Sequence, residues 1–542
     1  MESGRPGGSS PGTSKGDPSP PEATPAGGRT HQLLKRSTAV SLLTALSVAA
    51  GFLVDVLIVA RFGIGAETDA FFGAYTVPFI LVTRIAAVQP VLVSILAGYR
   101  HDLTAFSTLL NASFVIALPV TAVGMLLAYP LVQATMPGFA SSTAFQAAAL
   151  ARILFAEVPA AAVAEVCKAE LFARHRFGAA AFSNIIPGLV TAAILLLPGN
   201  RAALEVVAWG FVAGALAQAA FLSLVLFASL KAPYRLGLSH PTPILRQTGR
   251  LILAPLAGLF LRQGVTLAER LLGSYLTAGS VTAISYANRL NTVVAGVFFD
   301  SVTTVSLPSL ADHLIRQEIQ AARAELAALL RLMAYIAVPL GIAVAALSTP
   351  LVLVFFERGR VAHESAVLMG AVVGVYSLSL PFLGPFRAVQ NFFYALKATG
   401  PIVLLHGGLA ALAVVLDLLL VWKLGAIGLA LAYAVSSGIM ATLGIVWLNR
   451  RAGGLGWRSL ADSFWRLALT SAAMGATAWG VSQAMMERTG SAAQPRGELI
   501  LILLVSALAG LAVFLGVGAV LRLEAISFLW QLIRDKLRSL QK

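Results

Sequence analysis

The stretch Gly51–Pro78, GFLVDVLIVARFGIGAETDAFFGAYTVP, decides the fold. It reads as an apolar helix carrying one acid, Asp55, then a short turn, then a second apolar helix. The pattern returns 214 residues later: Asp55, Gly65, Thr68 and Phe72 are matched in order and spacing by Glu269, Gly279, Thr282 and Tyr286. An intramembrane acid, a turn glycine, a threonine and an aromatic recur together. This predicts two halves of one transport protein, each opening with the same helix pair. The two glycines are expected to supply turn backbone with positive φ, and Thr68 and Asp69 to cap the second helix.

Composition sets the class. Of the 542 residues, 58% are hydrophobic and 12% charged, and the mean hydropathy is +0.83. An ordinary soluble chain is far more polar. Runs of roughly 20 apolar residues, enough to cross a bilayer core, follow one another almost continuously after residue 37. The fold class expected is all-α and polytopic, with about fourteen transmembrane helices. The single Cys167 excludes an intramolecular disulfide or a cysteine metal cluster. A net charge of +15 invites comparison with nucleic-acid binders, but no basic block carries interleaved aromatics, so nucleic acid is excluded as a partner.

Residues 1–30, rich in Pro, Gly, Ser and Thr, read as a disordered tail without a cleaved signal peptide. Helices are expected near 38–60, 69–97, 106–131, 146–172, 179–198, 203–230, 251–276, 280–309, 325–356, 366–394, 400–422, 425–449, 464–486 and 498–520. Pro78, Pro90, Pro339, Pro381 and Pro385 are expected kink sites. Alternate loops are rich in Lys and Arg, for example Lys168/Arg174/Arg176 and Arg450/Arg451/Arg458, and the opposite set is nearly bare. The positive-inside rule then puts both termini in the cytoplasm of a bacterial inner membrane. The repeat has the same direction in both copies, giving two pseudo-symmetric six-helix lobes, 31–235 and 236–450. Two additional helices over 451–521 and a basic amphipathic cytoplasmic tail over 522–542 complete the chain.

Ionisable side chains inside a membrane are costly and face a partner or a wet cavity. They are Asp55, Arg84, Arg152, Glu157, Arg262, Glu269, Arg270, Arg289, Asp300, Arg387 and Asp417. Arg84, Arg262, Arg289 and Arg387 come from four helices split between the lobes and are expected to converge on an anionic headgroup. For each, the alternative is interhelical pairing with Asp55, Glu269 or Asp300, or snorkelling to the interface. Asp55 is a further substrate-binding candidate, with pairing to an arginine or a locking role in the helix turn as its alternative. His406 lies alone in an apolar helix. No metal-hydrolase, phosphate-loop or nucleophile-elbow motif is present, so no catalytic residue is assigned and an enzyme is not expected.

These segments carry a resemblance. The run GAETDAFFGAYTVP, with LLKRSTAVSLLTALSVAAGF before it, resembles the MurJ (MviN) lipid II flippase family of the MOP transporter superfamily. AGSVTAISYANRL (278–290), SLPSLADH (306–313), FFERGRV (355–361) and KATGPIVLLHGGL (397–409) resemble it too. The resemblance implies an alternating-access flippase that carries an undecaprenyl-pyrophosphate-linked glycan precursor, lipid II first among them, between leaflets. The headgroup is then expected in a central cationic cavity, and cell-wall or polysaccharide biosynthesis proteins are implied as partners. Asp417 falls where the family has a polar residue, and some relatives hold sodium between the helices that carry Glu269 and Asp417. The resemblance therefore implies coupling to Na+, to H+ or to the membrane potential through this pair, with no other cofactor. Structural pairing of these acids with Arg262 or Arg270 is the alternative.

The sequence also departs from the family pattern. Two family arginines of the first helix are Val48 and Val54 here, and the paired arginine of the second falls on Val82 and Thr83, with Arg84 following. The family's Y-A-D-R-L-x-E reads Tyr286-Ala287-Asn288-Arg289-Leu290-Asn291-Thr292 here, so the arginine is kept and the acid is lost. A pyrophosphate favours arginine forks, so these valines favour a second reading, a flippase for another lipid-linked oligosaccharide such as an O-antigen, capsule or exopolysaccharide unit. A multidrug exporter of the wider superfamily fits the TDAFF and SYANRL segments less well. A transport-inactive membrane scaffold is the reading from a different class.

Overall fold

The computed structural model describes residues 26–99, 103–197, 203–229, 234, 242–357, 361–396, 398–452, 454, 457–489 and 495–523. Among them there is helix and no strand. In hydrocarbon every backbone N–H and C=O must be satisfied inside its own segment, which a helix achieves.

The first half contains α1 (Ala26–Phe62), α2 (Ala66–Ala87), α3 (Gln89–Gly98), α4 (Leu103–Leu126), α5 (Ala128–Thr135), α6 (Ser141–Phe155), α7 (Glu157–Ala173), α8 (Phe177–Ser183), α9 (Ile186–Leu196) and α10 (Leu204–Leu224). The second contains α11 (Thr242–Gly273), α12 (Ser280–Val294), α13 (Asp300–Ile315), α14 (Ile319–Phe356), α15 (His363–Ser377), α16 (Leu380–Ala395) and α17 (Thr399–Ala452). Then come α18 (Trp457–Thr489) and α19 (Arg496–Val520). Among the described residues, helix covers most of each stretch expected from the sequence, and nine helical segments are long and apolar enough to cross a membrane. Large apolar side chains point outward, as Leu126 and Val520 do at 79% and 81% exposure. An outer surface of this kind is stable against lipid, not water.

Prolines divide the helices. The breaks at Val88, Leu127, Ala156, Ile185 and Ser379 each lie two or three residues before a proline: Pro90, Pro130, Pro159, Pro187 and Pro381. Proline brings no N–H to the helix ladder and crowds the carbonyl four residues back. Of the expected kink sites, Pro90 and Pro381 accompany breaks. Pro78, Pro339 and Pro385 instead sit inside helices that continue through them. The α17 segment is a hairpin of two helices that reverses at Gly425, where φ is +58°.

Two expectations at the chain ends need revision or fall outside the structure. α1 begins at Ala26, so the last residues of the stretch read as a disordered tail are helical. Of the amphipathic helix expected over 522–542, Arg522 and Leu523 are turn and the remainder lies outside the described residues.

The core is divided in a way that positions the site. One apolar cluster links α1, α2 and α4–α7 with α9, α10 and the start of α12, and another links the end of α12 with α13, α14, α16 and α17. A third draws α1 against α11, α12, α14, α15, α17 and α19, so α1 and α12 both contribute to both halves. Between them the halves enclose a cavity.

Candidate functional site

At the end of the molecule that holds Gly65 and Gly279, the repeated residues meet each other. The Thr68 and Thr282 hydroxyl oxygens are 3.1 Å apart across a sequence separation of 214. The rings of Phe72 and Tyr286, separated by the same interval, pack edge-to-face with centroids 5.2 Å apart. The repeat therefore marks the seam between the halves.

Asp69 closes that seam. The first turn of any helix leaves N–H groups without partners inside the helix, and its end carries partial positive charge. The N–H of Gly279 donates to Asp69 Oδ2 at 2.6 Å, and the N–H and hydroxyl of Thr282 donate to Oδ1 at 2.8 and 2.5 Å. Asp69 thus caps α12 in the opposite half. The expected cap of α2 is left to Thr68, whose hydroxyl accepts from the Gly65 N–H and donates to the Gly65 carbonyl. Further bonds cross the same seam. Arg270 donates to the Phe72 carbonyl at 3.2 Å and the Thr76 hydroxyl at 2.6 Å, and the Gly138 N–H donates to Ser274 Oγ at 3.0 Å.

The two turn glycines differ. Gly279 has φ +95° and Gly65 is extended at φ 178°; in the first repeat the left-handed residue is Gly63, at φ +79°. A Cβ on Gly279 would also stand 2.9 Å from Ile64 Cγ2. Gly279→Ala is expected to destabilise the protein by about 1–2 kcal/mol from the backbone alone. Thermal unfolding of the purified variant checks this, and an unchanged midpoint would mean that the turn relaxes without penalty.

Beyond the seam lies a cavity of about 670 Å³ lined by residues of both halves. Its charged walls are Asp55, Glu157, Glu269, Arg270, Arg289 and Arg387. Among the described residues the lining is therefore mixed in sign, not the cationic chamber expected. Arg289 Nε stands 3.3 Å from Asp55 Oδ2, an ion-pair contact joining α12 to α1, and the Arg289 side chain stays 44% exposed. Its guanidinium lies over Gly51, where a Cβ would come within 2.6 Å of Nη2. The bare glycine opens this path. Tyr286 donates its hydroxyl to the Asp55 carbonyl at 2.9 Å, so the base of the pair is fixed across the seam.

On the second-half wall, Asn288 donates to the Tyr376 hydroxyl at 2.9 Å, which donates to Glu269 Oε1 at 3.3 Å. Tyr376 stacks on Tyr433 of α17, with centroids 4.6 Å apart. Asp417, fully buried on α17, lies within electrostatic reach of Glu269. Among the described residues, neither Asp417 oxygen nor Glu269 Oε2 has a hydrogen-bond donor.

The structure thus brings Asp55, Arg289, Arg387 and Glu269 to one cavity, with Asp417 behind Glu269. The side chains of Arg84, Arg262 and Asp300 lie outside the described residues. Arg152 is exposed on α6 and does not line the cavity. His406 is not solitary: it lines the cavity, with Nε2 3.0 Å from Gln390 Nε2 and its ring edge-to-face with Phe386. Tyr75, Tyr376 and Asn288 escaped sequence reasoning, because a tyrosine or asparagine in an apolar helix carries no signal of what it faces.

A family model described as "Lipid II flippase MurJ" matches residues 58–494. The chain belongs to the MurJ family. A probable lipid II flippase MurJ of Rhizobium meliloti (strain 1021) is 27% identical over 432 residues, covering 76% of this chain and 79% of that one. A solved lipid II flippase MurJ in an inward closed conformation superposes with a TM-score of 0.73 over 89% of this chain and 98% of that one, at 20% identity. A multidrug resistance MATE family transporter of the MOP superfamily, inward-facing, gives 0.67 over 77% and 98% at 12% identity. Against the MurJ pattern read from the sequence, Val54 stands where an arginine was expected. It is 3% exposed, belongs to the first-half core and reaches the cavity wall.

Proposed function

We infer that this protein is a lipid II flippase that exposes its central cavity alternately to the two leaflets. The observation that carries the reading is the membership of the MurJ family together with a cavity between two repeat-related halves, sealed across the Asp69–α12 seam and holding the half-exposed Arg289. Arg289 and Arg387 offer the donor forks that a pyrophosphate takes up. Loop charge supports an inner-membrane orientation with both termini cytoplasmic, and the sealed seam then faces the periplasm. Transport breaks no covalent bond of the substrate. A second reading, another lipid-linked oligosaccharide, is favoured by the valines at 48, 54 and 82. The test is replacement in a bacterium depleted of its own lipid II flippase, scoring growth and lipid II in the outer leaflet. No rescue by a well-inserted protein shifts the substrate to another lipid-linked sugar.

Glu269 and Asp417 fit a coupling cation. Three carboxylate oxygens that have no donor among the described residues lie on adjacent helices, and oxygen donors are what a hard cation such as Na+ takes. These two residues would hold it, and a bound cation would neutralise their mutual repulsion. Asp417→Asn is expected to abolish any stimulation of flipping by a sodium gradient. An undiminished sodium response in that variant removes Asp417 from coupling.

A further inference from the structure

Glu157 lines the cavity apart from the Asp55–Arg289 and Glu269–Asp417 pairs and from the seam. Its position follows from Pro159. The proline has no N–H to give the Phe155 carbonyl, the helix breaks at Ala156, and the Thr121 hydroxyl takes the freed carbonyl at 3.4 Å. The first residue beyond the break is Glu157, 8% exposed and lining the cavity. Tyr75 of α2 lines the same wall with its hydroxyl within reach of the carboxylate, and among the described residues Oε2 is enclosed with no donor.

No cation balances it among the described side chains. α3, α4 and α8 carry no charged residue, α10 carries only Glu205 in its first turn, and on α7 itself Lys168 pairs with Glu165, with Glu170 beyond. Arg152 on α6 is exposed and does not line the cavity. On α2, Glu67 and Asp69 lie in the first turn, and Arg84 is about 13 Å further along the helix than Tyr75. The charges beyond Tyr75 are Asp55, Arg289 and Arg270, which face the tyrosine.

We propose that Glu157 and Tyr75 form a proton-binding site in the first half of the transporter, separate from the Glu269–Asp417 pair. A buried ionised carboxylate with neither a cation nor a second donor is penalised by several kcal/mol. A proton taken from cavity water removes that penalty by forming one O–H bond on the carboxylate, and it returns to water when the halves reorient. A sodium ion needs several oxygen ligands, and a single carboxylate beside one phenol supplies too few. Since Glu157 and Arg289 line one cavity and both lie within electrostatic reach of Tyr75, a proton on Glu157 and an anion at Arg289 favour each other's binding by linkage. That consequence rests on the flippase reading, whereas the proton site does not.

The experiment is infrared difference spectroscopy of the purified, reconstituted protein without substrate. Glu157→Gln, which has the shape of the protonated acid, is expected to fold normally and to lose one protonated-carboxyl C=O band. Tyr75→Phe is expected to keep the band and shift it, because the phenol no longer donates to the group. A carboxyl spectrum unchanged in both variants overturns the proposal. Failure of the protein to move lipid II leaves this result untouched and counts against the flippase reading alone.

Discussion

Replacing Arg289 by alanine abolishes flipping while leaving the protein folded in the membrane. The side chain joins α12 to Asp55 of α1 and still presents 44% of itself to the cavity. A charge-assisted fork to a pyrophosphate is among the strongest contacts a cavity offers. Truncating one partner of such a pair is worth about 2–5 kcal/mol, or at least roughly 30-fold in transport at the lower end. The same substitution leaves the Asp55 carboxylate without its cation beside a low-dielectric wall, which opposes an incoming anion. Arg289→Lys keeps the charge and loses the fork, so it is expected to retain only part of the activity. The measurement is lipid II flipping by reconstituted protein at matched insertion. Wild-type rates in Arg289→Ala would remove this residue from the headgroup site.

Replacing Asp69 by alanine opens the sealed end. The carboxylate receives three hydrogen bonds from Gly279 and Thr282, all from the opposite half. Its loss leaves two backbone N–H groups at the start of α12 without partners, at about 1–3 kcal/mol each. The penalty falls only on the conformation in which the halves meet, so the equilibrium moves toward the open seam by roughly 30-fold or more. Spin labels at the exposed positions Ala66 and Ala278, on either side of the seam, read this directly in a Cys167→Ala background. The single buried cysteine makes that background simple to build. The expected result is one short distance in the parent and a second, longer population in Asp69→Ala. An unchanged distance distribution would show that Asp69 does not hold the seam.

Asp69 and Arg270 show where sequence reasoning reached its limit. A threonine and an aspartate at the start of a helix signal a local cap, and Thr68 obeys that rule. Asp69 caps a helix more than two hundred residues away, because the packing of the opposite half brings the start of α12 against it. Arg270 was one of several intramembrane charges in the sequence. Its hydrogen bonds to Phe72 and Thr76 show it stitching the seam. Glu157 was another, and only the proline break and the neighbouring tyrosine give it a direction.

By itself the sequence determined the membrane class, the all-helical fold, the twofold repeat and most of the charged residues that line the cavity. These follow from composition, from the length of apolar runs and from the cost of a charge in hydrocarbon, all of which act along the chain. Tertiary structure alone decided that Thr68 meets Thr282, that Phe72 meets Tyr286 and that the cavity mixes both signs of charge. Periodicity shows which residues are equivalent, but not that equivalent residues touch. Contact across an axis depends on how the two halves pack, and no local pattern in either half records it.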